Sequence, residues 1–124
     1  MTETEMQQIM HSFCLLADLE EEEAQRYLAI VELAAGEMRA RLKKGTDTAE
    51  NSTRITLLCA ANAYVKYALL RAGTDTGSIK LGDVSVSGGG ECEAAAARDA
   101  LEEFCAACAD ILTDRAFVFG QVKA

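Results

Sequence analysis

Cys105 and Cys108 are the residues of this chain whose type and spacing could most directly do chemistry. Two thiolates at this spacing can bind zinc, but a closed structural zinc site needs four ligands and the sequence has no second paired motif. A thioredoxin-type redox pair would stand at the start of a helix that follows a strand. This pair falls deep within a predicted helix, on its apolar side. We therefore predict two small buried core side chains, with no metal and no cofactor.

His11 is the single histidine, so any catalytic triad would have to be built around it. It lies near the start of the chain, on the polar side of the apolar stripe formed by Met6, Met10 and Phe13, which predicts a solvated position. The acidic run Glu20–Glu23 could be imagined as a metal site. Carboxylates in the first turn of a helix are stabilised by the helix dipole, and that interpretation requires no metal.

Asn62, Tyr64 and Tyr67 are polar residues within an otherwise apolar helical pattern. Their polar atoms need hydrogen-bond partners when buried, so we expect bonds between helices, with a ligand pocket as the alternative. The triple glycine 88–90 lacks the lysine and threonine that follow the glycines of a phosphate-binding loop. No enzyme active site is predicted from these residues.

The composition predicts one mainly α domain spanning residues 1–124. The 124 residues include no proline, are half hydrophobic and carry a formal net charge of −8. This charge argues against general nucleic-acid binding, which needs clustered Lys and Arg. The acidic start is unlike a signal peptide, no apolar run is long enough to span a bilayer, and five cysteines suggest reduced thiols. We expect a soluble cytoplasmic protein with no membrane partner.

The periodicity predicts a bundle of four to five helices. The helix predicted over residues 52–72 should be central, because apolar residues surround its axis. Asp18 is expected to break the chain and cap the next helix, while Gly45 and Gly73 are expected to end helices. Glycines 88–90 are expected to form a flexible joint. The predicted helices cover residues 4–17, about 20–44, 52–72 and about 91–113.

The segment 78–87 has strand character. Its apolar residues are separated by polar ones, and Gly82-Asp83 gives a turn or bulge signal in the middle. We predict a short strand or hairpin in a loop over residues 74–90. Such an element is marginal alone and needs a partner, either Phe117–Phe119 or another copy of the chain. The apolar segment 115–124 is expected to dock on the bundle or on a neighbouring subunit.

With these elements in place, the chain resembles the small head–tail connector (adaptor, or head-completion) proteins of tailed bacteriophages and prophages. One basis is the order of elements: a short helix, a long helix, a nearly all-apolar helix, a strand-bearing loop and a final helix. The other is Gly82-Asp83-Val84-Ser85-Val86-Ser87, which is similar to a Gly-Asp-x-Ser-Val-Ser segment that follows the central helix in many connectors.

The resemblance implies a virion structural protein, assembled in the bacterial cytoplasm. It implies a ring of about a dozen copies below the portal that continues the DNA channel without binding DNA by sequence. Its partners would be other copies of itself and the portal and tail proteins, and its acidic charge would suit a channel that must not retain DNA. The candidate subunit-interface residues are Ile79, Leu81, Gly82, Asp83, Val84, Val86, Phe117, Phe119 and Val122.

Two other functions are consistent with the sequence. One is a small helical protein–protein interaction module that forms a dimer through apolar surfaces. The other is a thiol protein that uses Cys105 and Cys108, with Cys92, to bind metal or undergo oxidation. The first predicts a small closed oligomer, and the second predicts bound zinc or a readily oxidised thiol pair.

Overall fold

The computed structural model describes residues 3–79 and 84–113, with the main chain alone at 73–79 and 84–91. The described chain is almost entirely α-helical, as the composition predicts. A short 3₁₀ turn at Gln25–Tyr27 joins the second helix to the third. The helices are α1 (Glu3–Ala17), α2 (Glu21–Ala24), α3 (Leu28–Ala40), α4 (Ser52–Ile79) and α5 (Val84–Ala107).

The predicted break between the first two helical patterns is confirmed at Asp18. This residue has a φ of 59°, and the main-chain nitrogen of Leu19 donates to the oxygen of Cys14 at 3.0 Å, closing the end of α1. The predicted cap is wrong, because Glu20 occupies the N-cap position of α2 and makes no side-chain capping bond. The predicted helix over residues 20–44 is also interrupted by the 3₁₀ turn and ends at Ala40.

Helix α4 is the central element, as its nearly all-apolar sequence predicts. It contacts α1, α3 and α5. Three helical segments meet at Tyr67 of α4. Its ring makes edge-to-face contacts with Phe13 of α1 and with Tyr27 just before α3. Burying these apolar side chains against a shared helix supplies most of the stability of such a bundle. The largest fully buried side chains are Phe13, Ile9, Met38, Leu58, Leu112, Val31 and Cys59.

The predicted strand or hairpin is not present in the described part of the chain. Helix α4 continues through Gly73 to Ile79, and α5 begins at Val84 and includes glycines 88–90. Residues 80–83 lie outside the description. A helix satisfies its main-chain hydrogen bonds within the segment, whereas a lone strand needs a partner. Valine and isoleucine cost only a few tenths of a kcal/mol in a helix, roughly, so the alternating pattern did not decide the structure.

An antiparallel main-chain contact that was not predicted from the sequence joins the segments that follow α3 and α5. Leu42 and Leu112 form an isolated bridge. The nitrogen of Lys43 donates to Ile111 at 2.8 Å, and the nitrogen of Thr113 donates to Arg41 at 2.9 Å. Leu112 is almost fully buried there. Gly45 has a φ of 85° three residues beyond the bridge, but it does not end the helix as predicted, because α3 already ends at Ala40.

Candidate functional site

Three of the nine predicted interface residues lie in described helices, at the end of α4 and the start of α5. Ile79 is the last residue of α4, and Val84 and Val86 lie in the first turn of α5. All three are therefore helical and not part of a strand. Their role as a subunit joint stays a prediction. The other candidates lie outside the described residues: Leu81, Gly82, Asp83, Phe117, Phe119 and Val122.

Both cysteines of the Cys-x-x-Cys motif are buried, as predicted. Burial raises the pKa of Cys105 to about 11, although the nearby charge of Arg41 acts in the opposite direction. Burial also raises the pKa of Cys108, which the Arg54 guanidinium partly offsets. Thiols with raised pKa values are protonated at neutral pH and are weak nucleophiles and weak metal ligands. Within residues 3–79 and 84–113, no group of three or more His, Cys, Asp or Glu side chains is arranged to hold a metal ion.

Two further thiols differ in their exposure to solvent. Cys59 is fully buried in α4, and its sulfur lies 3.8 Å from the main-chain oxygen of Ala35. Burial raises its pKa to about 11. Cys92 is exposed on α5. The described thiols are therefore mainly core side chains.

Asn62 and Tyr64 of α4 bond to neighbouring helices, as predicted, whereas Tyr67 accepts its hydrogen bond from Arg71 of the same helix. Asn62 donates from its side-chain nitrogen to the main-chain oxygen of Ala34 and to Glu37, both at 3.1 Å. Lys66 reaches the same Glu37 carboxylate at 3.0 Å. Burial alone would raise the pKa of Glu37, but the hydrogen bonds from Lys66 and Asn62 outweigh it and hold that pKa below its usual value. The group fixes the register of α3 against α4.

A second polar pair joins α4 to α5. The Tyr64 hydroxyl lies 3.1 Å from a Glu93 carboxylate oxygen, and Arg71 lies 3.9 Å from the other oxygen of that carboxylate. Burial and the charge of Glu93 raise the pKa of Tyr64. Tyr67 also accepts a hydrogen bond from Arg71 at 3.1 Å. These side chains are used in helix packing.

An open groove of about 770 Å³ lies between α1 and the α2–α3 segment, and we call it the α1–α3 groove. Its apolar floor is formed by Met6, Met10, Cys14 and Leu28. Its rim carries three exposed carboxylates, and none of the described residues that line it is Lys or Arg. The rim residues are Glu3, Gln7, His11, Glu21, Gln25 and Glu32.

A second groove of about 550 Å³ lies between α1 and the start of α4. It differs from the first in its chemistry, because its lining is almost wholly neutral and polar. His11 is exposed, as predicted, and borders both grooves. The lining residues are Thr4, Gln7, Gln8, His11, Ser12, Ser52, Thr53, Thr56 and Leu57.

Comparison with models of known protein families, with curated proteins and with solved structures gave no match to this chain. Function is therefore inferred from the residues themselves. None of the described helices combines the length and the apolar composition needed to cross a bilayer.

The sequence did not single out several leucines whose side chains face solvent. Leu15 is 71% exposed on α1, Leu33 is 58% exposed on α3, and Leu70 is 50% exposed on α4. The signal available for two of them was a position next to a buried residue, since Leu15 follows Cys14 and Leu33 precedes Ala34. Exposed large apolar side chains on three helices offer more than one surface for contact with other proteins.

Proposed function

We propose that this protein is a head–tail connector of a tailed bacteriophage or prophage. It would be a structural subunit that assembles with copies of itself, and with portal and tail proteins, around the path of the DNA. The observation that carries the proposal is the order of helices: α1, the α2–α3 pair, the apolar central α4 and the long α5. The helical part of that order agrees with the layout on which the resemblance rests, whereas the strand-bearing loop is not present in the described residues and the expected long second helix is divided into α2 and α3.

The chemistry of the described side chains supports a structural role over an enzymatic one. The thiols of Cys105 and Cys108 are buried with raised pKa values, and Asn62 and Tyr64 are engaged in bonds between helices. The motif half of the resemblance is weakened, because Val84–Ser87 are helical. The proposal therefore depends mainly on the element order.

The exposed leucines support assembly through more than one face. A closed ring is built from a heterologous contact, in which each subunit uses two different surfaces. Leu15 and Leu33 lie on different helices and are more than half exposed, so they are suitable markers of two such surfaces. A dimer with two-fold symmetry would use one surface only, which is the arrangement expected of the alternative interaction module.

The test is light scattering after size exclusion over a concentration series, with negative-stain microscopy of the largest species. The connector function predicts rings of about a dozen copies with a central channel. Leu15→Glu and Leu33→Glu, tested separately, should each reduce ring formation if both faces are used. A dimer that persists over the whole series, and that only one of the substitutions disrupts, would favour the interaction module instead.

A further inference from the structure

The α1–α3 groove has the features of a peptide-binding surface, and no side chain of the described residues fills it. Met6 and Leu28 are half-buried and border the more deeply buried Met10 and Cys14. Methionine adapts its shape to an apolar partner, which suits a groove that receives a separate segment. Three carboxylates at the rim, with no Lys or Arg in the lining, favour an occupant that is apolar in the middle and cationic at its ends.

The segment that follows Thr113 has this composition. Its apolar residues Phe117, Phe119 and Val122 stand between Arg115 on one side and Lys123 on the other. Residues 114–124 lie outside the described part of the chain. We propose that residues 115–123 bind in the α1–α3 groove of the same chain.

The position of Thr113 gives the segment the correct starting point. Its main-chain nitrogen is bonded to Arg41, just beyond the end of α3. Because the Leu42–Leu112 bridge is antiparallel, the chain leaves Thr113 toward α3. Arg39 lies 3.9 Å from Glu5, which places the start of α1 level with the end of α3, so the groove begins close to this point.

The reach of the segment matches the groove. Glu32 and Leu28 lie about 14 and 20 Å along α3 from Arg41, at 1.5 Å per residue. An extended chain that leaves Thr113 covers about 14 Å by residue 117 and about 20 Å by residue 119, at roughly 3.4 Å per residue. The two phenylalanines would therefore lie beside the apolar floor.

The charges then fall in matching order. Arg115 would lie about 7 Å from Thr113 at the entrance, near Glu3 and with its side chain extended toward Glu32, and Lys123 would lie toward Glu21 at the far end of the groove. The expected binding is mainly apolar, with the charge pairs setting the direction of the segment. This inference concerns a contact within one chain and does not require ring assembly.

Tryptophan fluorescence tests the proposal directly, because the protein has no tryptophan. In full-length Phe119→Trp protein, the emission should be blue-shifted relative to the same protein in denaturant, and the shift should be independent of protein concentration. Met6→Glu in the floor and Glu32→Arg at the rim should each reduce the blue shift. Glu103→Arg, at an exposed position of α5 outside the groove, is the matched control for Glu32→Arg and should leave the blue shift unchanged.

A charge exchange strengthens the test. Arg115→Glu should reduce the blue shift, and Arg115→Glu combined with Glu32→Arg should restore it. Glu32 is exposed, so its replacement is compatible with folding even if Met6→Glu is not, and circular dichroism checks each variant. An emission unaffected by the groove variants would overturn the proposal. A blue shift that is lost on dilution would also overturn it, by showing that the segment binds a different copy.

Discussion

The side-chain nitrogen of Asn62 lies 3.1 Å from the main-chain oxygen of Ala34. Asn62 is buried in α4, and its second acceptor, Glu37, also belongs to α3. The amide therefore fixes one helix against the other at two points. Among the described residues it is the one buried side chain that ends in an amide or a charged group, so its loss has a predictable effect on stability.

We expect Asn62→Ala to lower the free energy of unfolding by about 1–2 kcal/mol, because hydrogen bonds are lost and a small cavity forms. Urea unfolding measures this. Thr56→Ala, a partly exposed position on the same helix, is the control and should change the free energy of unfolding by less than about 0.5 kcal/mol. Equal effects of the two substitutions would contradict a specific role for Asn62.

The lowered pKa of Glu37 predicts that the free energy of unfolding depends on pH in the acid range. Its pKa is lowered in the folded protein, chiefly by Lys66 and Asn62 acting against burial, so the unfolded chain binds the proton more tightly. The stabilisation is fully present above the usual glutamate pKa of 4.5 and is lost as the pH falls through the lower, folded value. The side chain is 42% exposed, so solvent screening limits the effect to a few tenths of a kcal/mol, roughly.

Glu37→Gln is the matched variant for that dependence. Its stability should fall less steeply than that of the unsubstituted protein between pH 5 and pH 3, and the two curves should be parallel at higher pH, roughly. Thermal unfolding at a series of pH values is the measurement. Parallel curves throughout the acid range would show that the carboxylate has the same pKa in both states.

The thiols should divide into one accessible group and several protected ones. Cys92 is exposed, whereas Cys59 and Cys105 are buried with pKa values raised to about 11. We expect a thiol reagent at pH 8 to modify Cys92 quickly and the buried thiols only on unfolding. Cys92→Ser should abolish the fast phase. A fast phase that persists in this variant would place a buried thiol in contact with solvent.

Two glycines should respond to alanine in opposite directions. Gly36 lies within α3, and a Cβ placed there meets no atom within 4 Å, so Gly36→Ala should stabilise the protein by about 0.5–1 kcal/mol through helix propensity. Gly45 has a φ of 85°, which alanine adopts with strain, so Gly45→Ala should destabilise by roughly 1 kcal/mol. Chemical denaturation compares the two. A stabilising Gly45→Ala would contradict the turn conformation.

Leu112 tests the contact between the ends of α3 and α5. It is 1% exposed, so Leu112→Ala should cost about 2–5 kcal/mol. Leu33→Ala removes the same atoms from a side chain that is 58% exposed and should change the free energy of unfolding by less than about 0.5 kcal/mol in the monomer. Similar losses for both would indicate that Leu33 is buried in solution by another surface.

Much of the helical architecture could be predicted from apolar periodicity. The stripe of α1, the buried faces of α3 and α5 and the central position of α4 follow from residues at helical spacing, because each helix has to bury one side. The break near Asp18 was also predicted correctly, whereas the predicted stop at Gly45 falls five residues after the end of α3. Local chemistry specifies these features, so no knowledge of distant contacts was needed.

The strand between the last two helices was the main error. Gly73 and glycines 88–90 suggested breaks, yet helices continue through them. A single glycine costs a helix only about 1 kcal/mol, which neighbouring turns and packing readily offset. The Leu42–Leu112 bridge and the α1–α3 groove were not predicted, because both depend on how elements distant in sequence meet. Met6 and Met10 beside Glu3 were the available signal for the groove, but this spacing is equally typical of an ordinary core helix.

The Leu42–Leu112 bridge also determines how the molecule would carry mechanical load. One of its hydrogen bonds joins Thr113 to Arg41. A force applied to the chain beyond Thr113 would therefore act on the end of α3 as well as on α5. Two segments far apart in sequence thus act as one anchor point. Because α3 would carry part of the force, α5 would separate from α4 less readily than if the force acted on α5 alone.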